Sequence, residues 1–255
     1  MARQQTRSEI HGSRRSRKNK SKKKGKVSKW RLVLGSLLII LALALFAVNP
    51  IKDYLIVQRT QVNTVGNLSR EQIEANQNRD VSFNFAEVST IDAFDVISDG
   101  VNPNDLPVIG GIAMPELKMN LPIYKGTSNE GMYYGAGTLS PDQVMGQSNY
   151  ALASHHSKHR DLLFAPLLNA KEGQTIYLTD LDKVYEYKVD SVFVVDPSAM
   201  DVLNPSDQAK VTLITCTSDL ANRLIVQGTL QKTVDIQEAD QDMIEAFELP
   251  QTTAA

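Results

Sequence analysis

Seventeen consecutive residues, Leu32 to Val48, carry no charge, and only Gly35 and Ser36 among them depart from strongly apolar types. As a helix this run rises roughly 25 Å, at the short end of what crosses a bilayer, where each backbone polar group must be satisfied within its own segment. The flanks set an orientation. Residues 1–31 hold 13 of the 27 Lys and Arg and a single acid, Glu9. Trp30 sits where an interfacial aromatic belongs. The pattern predicts a single-pass anchor (residues 32–48) in the cell membrane, a basic cytoplasmic tail (residues 1–31) and an extracellular remainder. A cleaved signal peptide competes, because Ala42-Leu43-Ala44 has the small-x-small form of a cleavage site. The apolar run continues past that triplet to Val48, which favours the uncleaved anchor. The tail, with Arg14-Arg15 and Lys22-Lys23-Lys24, reads as a solvated topology determinant drawn to anionic membrane lipid, and not as a nucleic-acid-binding arm.

Past the anchor the balance reverses, to 14 basic and 28 acidic residues. Residues 49–106 are polar and acidic, with little that looks like core, and read as a stalk. Within it a short helix is predicted over Ser69–Arg79, with Ser69 as its cap. After Pro107 the chain breaks into short β-branched and aromatic runs bounded by turn residues. These are Val108–Ala113, Leu121–Tyr124, Met132–Gly137, Tyr150–Ser154, Thr175–Thr179, Val184–Val195, Val211–Cys216 and Leu224–Leu230. Asp180-Leu181-Asp182-Lys183 has the composition of a hairpin loop. Eight such runs predict an all-β domain, closed or sandwiched, over residues 107–232. The tail, residues 233–255, is predicted to hold a short amphipathic helix within Thr233–Phe247, with Ile236, Met243, Ile244 and Phe247 as its apolar residues.

Cys216 is the only cysteine, so no internal disulfide can form, and a lone thiol outside the membrane is a candidate nucleophile. It ends the run Val211–Cys216. Six residues intervene before Arg223 opens the next run, so pairing of the two strands would set Cys216 and Arg223 opposite each other at a hairpin mouth. An arginine there favours thiolate and offers fixed donors to an oxygen gaining charge. A buried structural cysteine beside a surface arginine fits the same spacing. Three of the four histidines lie in His155-His156-Ser-Lys-His159, directly after Tyr150–Ala153. A histidine ending a strand could be aimed at a cysteine ending another and exchange a proton with it. Zinc binding by the cluster is the alternative, but no acid or second cysteine stands at ligand spacing, and His156 and His159 read as loop residues.

Leu213-Ile-Thr-Cys216 resembles the cysteine signature of the sortase family, and Ala153-Ser154-His155 resembles its Ala-Gly-His. The order agrees as well: His155, then Cys216 after 61 residues, then Arg223 seven beyond. The similarity extends through Leu121-Pro-Ile-Tyr-Lys-Gly126 and Gly135-Ala-Gly-Thr138 to Phe164-Ala-Pro-Leu167, covering roughly residues 107–231. It implies an eight-stranded sortase-like β-barrel with short helices, preceded by the N-terminal transmembrane helix. It also implies a cysteine transpeptidase that cleaves Leu-Pro-x-Thr-Gly (LPXTG) signals of surface proteins between Thr and Gly. The product is passed to an amine of a peptidoglycan precursor.

On that resemblance Cys216 attacks the Thr carbonyl to form a thioester, His155 moves the proton, and Arg223 holds substrate carbonyls and the oxyanion. Thr215 is a secondary contributor. The loop Asp196–Ala209 would grip Leu-Pro, with Val202, Leu203, Ala153 and Ile214 as pocket candidates. Ser154 replaces the family's glycine, restricting the backbone before His155 without removing a catalytic group. Some class A members bind calcium before the histidine strand, but Tyr133–Asp142 offers one acid, so no metal and no cofactor are expected. No long apolar run follows Val48, which suits the class A type. A papain-like protease would place its cysteine before its histidine. A catalytically silent, anchored β-barrel that binds wall components is the other alternative. Leu249-Pro250-Gln251-Thr252 has the shape of the recognition motif, with Thr253 where Gly should stand, which suggests either coincidence or weak self-occupancy of the site.

Overall fold

The structure is a computed structural model, and it describes residues 29–63, 65–84, 102–157 and 159–248. Eight strands form: β1 (Val108–Met114), β2 (Met119–Tyr124), β3 (Ala136–Thr138), β4 (Asn149–Ala153), β5 (Thr175–Thr179), β6 (Lys183–Val195), β7 (Lys210–Cys216) and β8 (Arg223–Asp235), and all but β3 and the end of β8 follow the apolar runs closely. They close into a barrel in the order β1-β2-β3-β4-β7-β8-β6-β5. Closure leaves no strand with an unpaired edge, and the interior is filled by Ile112, Leu121, Ile123, Leu152, Leu178, Leu213 and Val226. Two seams are parallel, β2 with β3 and β4 with β7; the others are antiparallel. The β5–β6 turn is the expected loop: Leu181 takes a left-handed φ of 65°, and the Asp180 carboxylate accepts from the Asp182 and Lys183 amides.

Two elements differ from the sequence expectation. Met132–Gly137 is not one strand. Asn129–Tyr134 is a helix, α3, whose Ser128 cap accepts from the Gly131 amide at 3.0 Å, and only Ala136–Thr138 joins the sheet. A short buried run of Met-Tyr-Tyr fits either state, and the serine cap decides for helix. The tail helix also begins later. β8 runs on to Asp235, because β6 is long enough to pair with it as far as Lys183↔Asp235. A 3₁₀ turn, Ile236–Glu238, and a helix, α4 (Gln241–Glu248), follow, with Met243 and Ala246 buried against Ala113, Tyr177 and Val184.

Ahead of the barrel, helix α1 spans Lys29–Val62, and Lys29–Arg59 is long and apolar enough to cross a membrane. Helix α2 (Arg70–Gln77) carries the expected Ser69 cap in a capping box with Gln72. The segment expected to hold little core does contribute to it: Ile56, Val65 and Ile73 are buried. Polar contacts fix it too, since Asn63 Nδ2 donates to the Tyr124 hydroxyl at 3.0 Å and Asn76 Nδ2 to the Val108 carbonyl at 2.8 Å. A few apolar residues in a polar sequence carry too weak a periodicity to be read as core. The basic tail before Lys29 and the Leu249–Thr252 motif lie outside the described residues.

Candidate active site

Side chains alternate along β7. Val211 and Leu213 enter the barrel interior, whereas Ile214 belongs to a second apolar cluster with Ala153, Met132 and Ile225. By the same alternation Cys216 shares the face of Ile214. Its antiparallel neighbour β8 pairs Ile214 with Ile225 and, two residues on, Cys216 with Arg223. On the other side the parallel strand β4 pairs Ala153 with Ile214, and the Ser154 amide carries the register on by donating to the Ile214 carbonyl at 3.2 Å. His155 therefore reaches the level of Cys216. The three candidates, separated by 61 and seven residues in the chain, end three adjacent strands at one end of the barrel. Neighbouring strands are about 4.8 Å apart.

Each side chain has a distinct environment. His155 is only 8% exposed, and burial pushes its imidazole down from 6.5 to about 4, so it is neutral at physiological pH. Its Nε2 has no hydrogen-bond partner among the described residues, and its ring lies against that of Tyr133, with centroids 5.4 Å apart and planes 30° from parallel. Cys216 is half-buried. Arg223 is half-buried and makes one long contact, from Nη1 to the Asn222 carbonyl at 3.5 Å, so most of its donors stay uncommitted among the described residues. The hairpin loop is braced: the Thr217 amide donates to the Asn222 carbonyl at 3.0 Å, and the Asn222 amide returns to the Thr217 hydroxyl at 3.1 Å.

Beside this triad runs an apolar groove lined by Leu139, Val195, Val202, Leu203, Ile214 and Ile225, with Arg223 at its end. Val202 and Leu203 sit on a 3₁₀ turn, Met200–Leu203, in the connection from β6 to β7. Of the sequence-derived pocket candidates, Val202, Leu203 and Ile214 line the groove and Ala153 packs in the cluster beneath it. Thr215 falls on the opposite face, with Val211 and Leu213, and its buried hydroxyl has no partner among the described residues; the structure does not bring it to the groove. His156 forms an isolated antiparallel bridge with Leu163. Among the described residues no group of three His, Cys, Asp or Glu side chains gathers as a metal site.

Two positions were missed from sequence. Asn149 Nδ2 donates to the carbonyls of Val202 and Asn204, at 2.9 and 3.0 Å, while its Oδ1 accepts from Thr212 at 2.7 Å. It thereby pins the groove wall to the sheet. Tyr133, against the histidine, is the other. An asparagine at a strand start looks like a boundary and a tyrosine among apolar residues looks like core, so neither carried a signal.

The sortase domain family matches residues 112–231. Sortase A of Streptococcus agalactiae serotype III (strain NEM316) is 38% identical over 237 residues, covering 90% of this chain and 96% of the relative. The chain belongs to the sortase family. Sortase A of Listeria monocytogenes (serovar 1/2a, strain ATCC BAA-679 / EGD-e) is 34% identical over 199 residues, covering 77% of this sortase and 90% of the relative. The crystal structure of Listeria monocytogenes sortase A superposes with a TM-score of 0.52 at 37% identity, over 55% of this chain and 97% of that one. Class A relatives over most of the chain make it a class A sortase, and the closed eight-stranded barrel is the sortase fold. Kinship with transpeptidases does not favour the silent binding module.

Proposed function

We propose that this sortase is a membrane-anchored cysteine transpeptidase in which Cys216, His155 and Arg223 cut Leu-Pro-x-Thr-Gly signals between Thr and Gly. The acyl group passes to an amine of a peptidoglycan precursor. The observation that supports it is the alignment of the three side chains on the ends of β4, β7 and β8, beside an apolar groove suited to Leu-Pro. The neutral imidazole of His155 accepts the Cys216 proton as sulfur attacks the Thr carbonyl. The S–C bond forms, and Arg223 donates to the oxygen as it gains charge. The C–N bond to glycine then breaks, and His155 returns its proton to the departing amine. The acceptor amine repeats the sequence in reverse order, losing its proton to His155 and displacing sulfur from the thioester. The α1 segment from Leu32 to Val48 holds the enzyme in the membrane, with residues 1–31 cytoplasmic and the barrel, residues 107–232, on the outer side.

Incubation with a Leu-Pro-x-Thr-Gly peptide and oligoglycine, followed by mass spectrometry, tests this reading. The ligated peptide and a thioester adduct on Cys216 are expected. Cys216→Ala should abolish both while keeping the circular dichroism of the parent. Normal turnover by that variant would overturn the assignment.

A further inference from the structure

His155 is asked to become a cation in a nearly water-free position. Among the described residues no carboxylate faces it, its Nε2 is unpartnered, and burial alone accounts for its lowered proton affinity. Catalytic histidines generally need a third group that fixes the ring and stabilises the imidazolium. The group in contact here is the Tyr133 ring, itself 3% exposed, with its centroid 5.4 Å from that of the imidazole. Cations lie favourably over an aromatic face within about 6 Å.

Tyr133 is also held. It is followed by Tyr134 and Gly135, and each of these two residues has its own tether. The Tyr134 ring packs edge-on to Tyr133, with centroids 6.4 Å apart. Arg59, near the end of α1, lies over the Tyr134 ring at 5.4 Å and donates to its hydroxyl. The Gly135 carbonyl accepts from the Ser154 hydroxyl at 2.6 Å, beside His155 in the chain. A Cβ at Gly135 would stand 2.4 Å from the Pro122 carbonyl oxygen, so this turn lies flush against β2. The Tyr133 ring and the strand end bearing the histidine are therefore fastened to the same turn, through Tyr134 and Gly135.

We propose that Tyr133 is a positioning residue for the catalytic histidine, setting the plane of the His155 imidazole and offering its electron-rich face to the imidazolium formed during acylation. The inference rests on His155 being the acid–base group, so the experiment separates the two. The full chain in detergent micelles, with Tyr133→Phe, Tyr133→Leu and His155→Ala variants, is assayed with a Leu-Pro-x-Thr-Gly peptide and oligoglycine. Phenylalanine keeps an aromatic face, and kcat should stay within about twofold of the parent; leucine fills the space without one, and kcat should fall about tenfold or more with KM little changed. Tyr133→Met, an adaptable filler, replaces the leucine variant if the latter lacks a native circular dichroism spectrum. Full turnover by His155→Ala would remove the histidine assignment itself. An inactive His155→Ala beside a fully active leucine or methionine variant would overturn the role of Tyr133 alone, and so would equal losses in Tyr133→Phe and Tyr133→Leu.

Discussion

Arg223 stands opposite Cys216 on the last rung of the β7–β8 ladder, with no carboxylate to hold it among the described residues. If its charge alone mattered, lysine would serve. A guanidinium instead presents a planar fork that can reach two substrate oxygens, where an ammonium is a compact, strongly hydrated point. Arg223→Lys should therefore lose on the order of a hundredfold in kcat, the usual cost of an oxyanion donor. Near-normal turnover would reduce Arg223 to an electrostatic role. His155 gives a second expectation. Its unfolded form takes a proton near 6.5 and its buried form only near 4, so its contribution to stability is fully present above 6.5 and is lost as pH falls from there toward 4. In Cys216→Ala, the imidazole carbon shifts should still report a neutral ring at pH 5.5; titration close to 6.5 would mean that the ring is hydrated. The Cys216–Arg223 pair was legible because one hairpin joins the two. Which residue His155 faces depends on the parallel β4–β7 register, which no local pattern encodes.

Among the elements, the connection from β6 to β7 is the one whose placement decides what the groove can hold. It has little regular structure beyond its 3₁₀ turn, and Asn149 fastens it. The fastening continues through Thr212, fully buried, to Gln227 of β8, whose Nε2 donates at 3.1 Å. Asn149→Ala removes the bonds to Val202 and Asn204 while leaving Cys216, His155 and Arg223 in place. A several-fold rise in KM for the sorting peptide, with kcat nearly constant, is expected from losing such buried polar contacts. A fall in kcat alone would show that the loop shapes the chemistry and not the binding. Val202 and Leu203 stood out in the sequence as apolar residues in a polar loop. The brace did not, because its partners lie 53, 55 and 63 residues from Asn149. The same non-locality explains the tail: the extension of β8 to Asp235 is dictated by the length of β6, not by residues near the tail itself.

At the scale of the whole molecule, the stretch between the apolar run and the barrel is part of the folded unit. Ile56 is fully buried and Val65 is 2% exposed, each a burial of roughly 1.5–3 kcal/mol. Removing residues 1–50 should leave a soluble enzyme with parental peptide turnover. Removing residues 1–68 should lower the melting temperature by several degrees, as loss of those contacts from a domain of this size implies. Equal melting temperatures would show that the segment only tethers. The β4–β7 seam carries a further consequence, for synthesis and decay. His155 follows directly after the fourth strand, whereas Cys216 and Arg223 come from the seventh and eighth, so a chain interrupted anywhere before Arg223 lacks part of the proposed triad. Long-range parallel pairing is also among the slower steps of folding. If the three residues act together as proposed, nascent, truncated and partly unfolded copies should carry no transpeptidase activity, and the rate at which activity returns on refolding should measure the closing of the barrel itself.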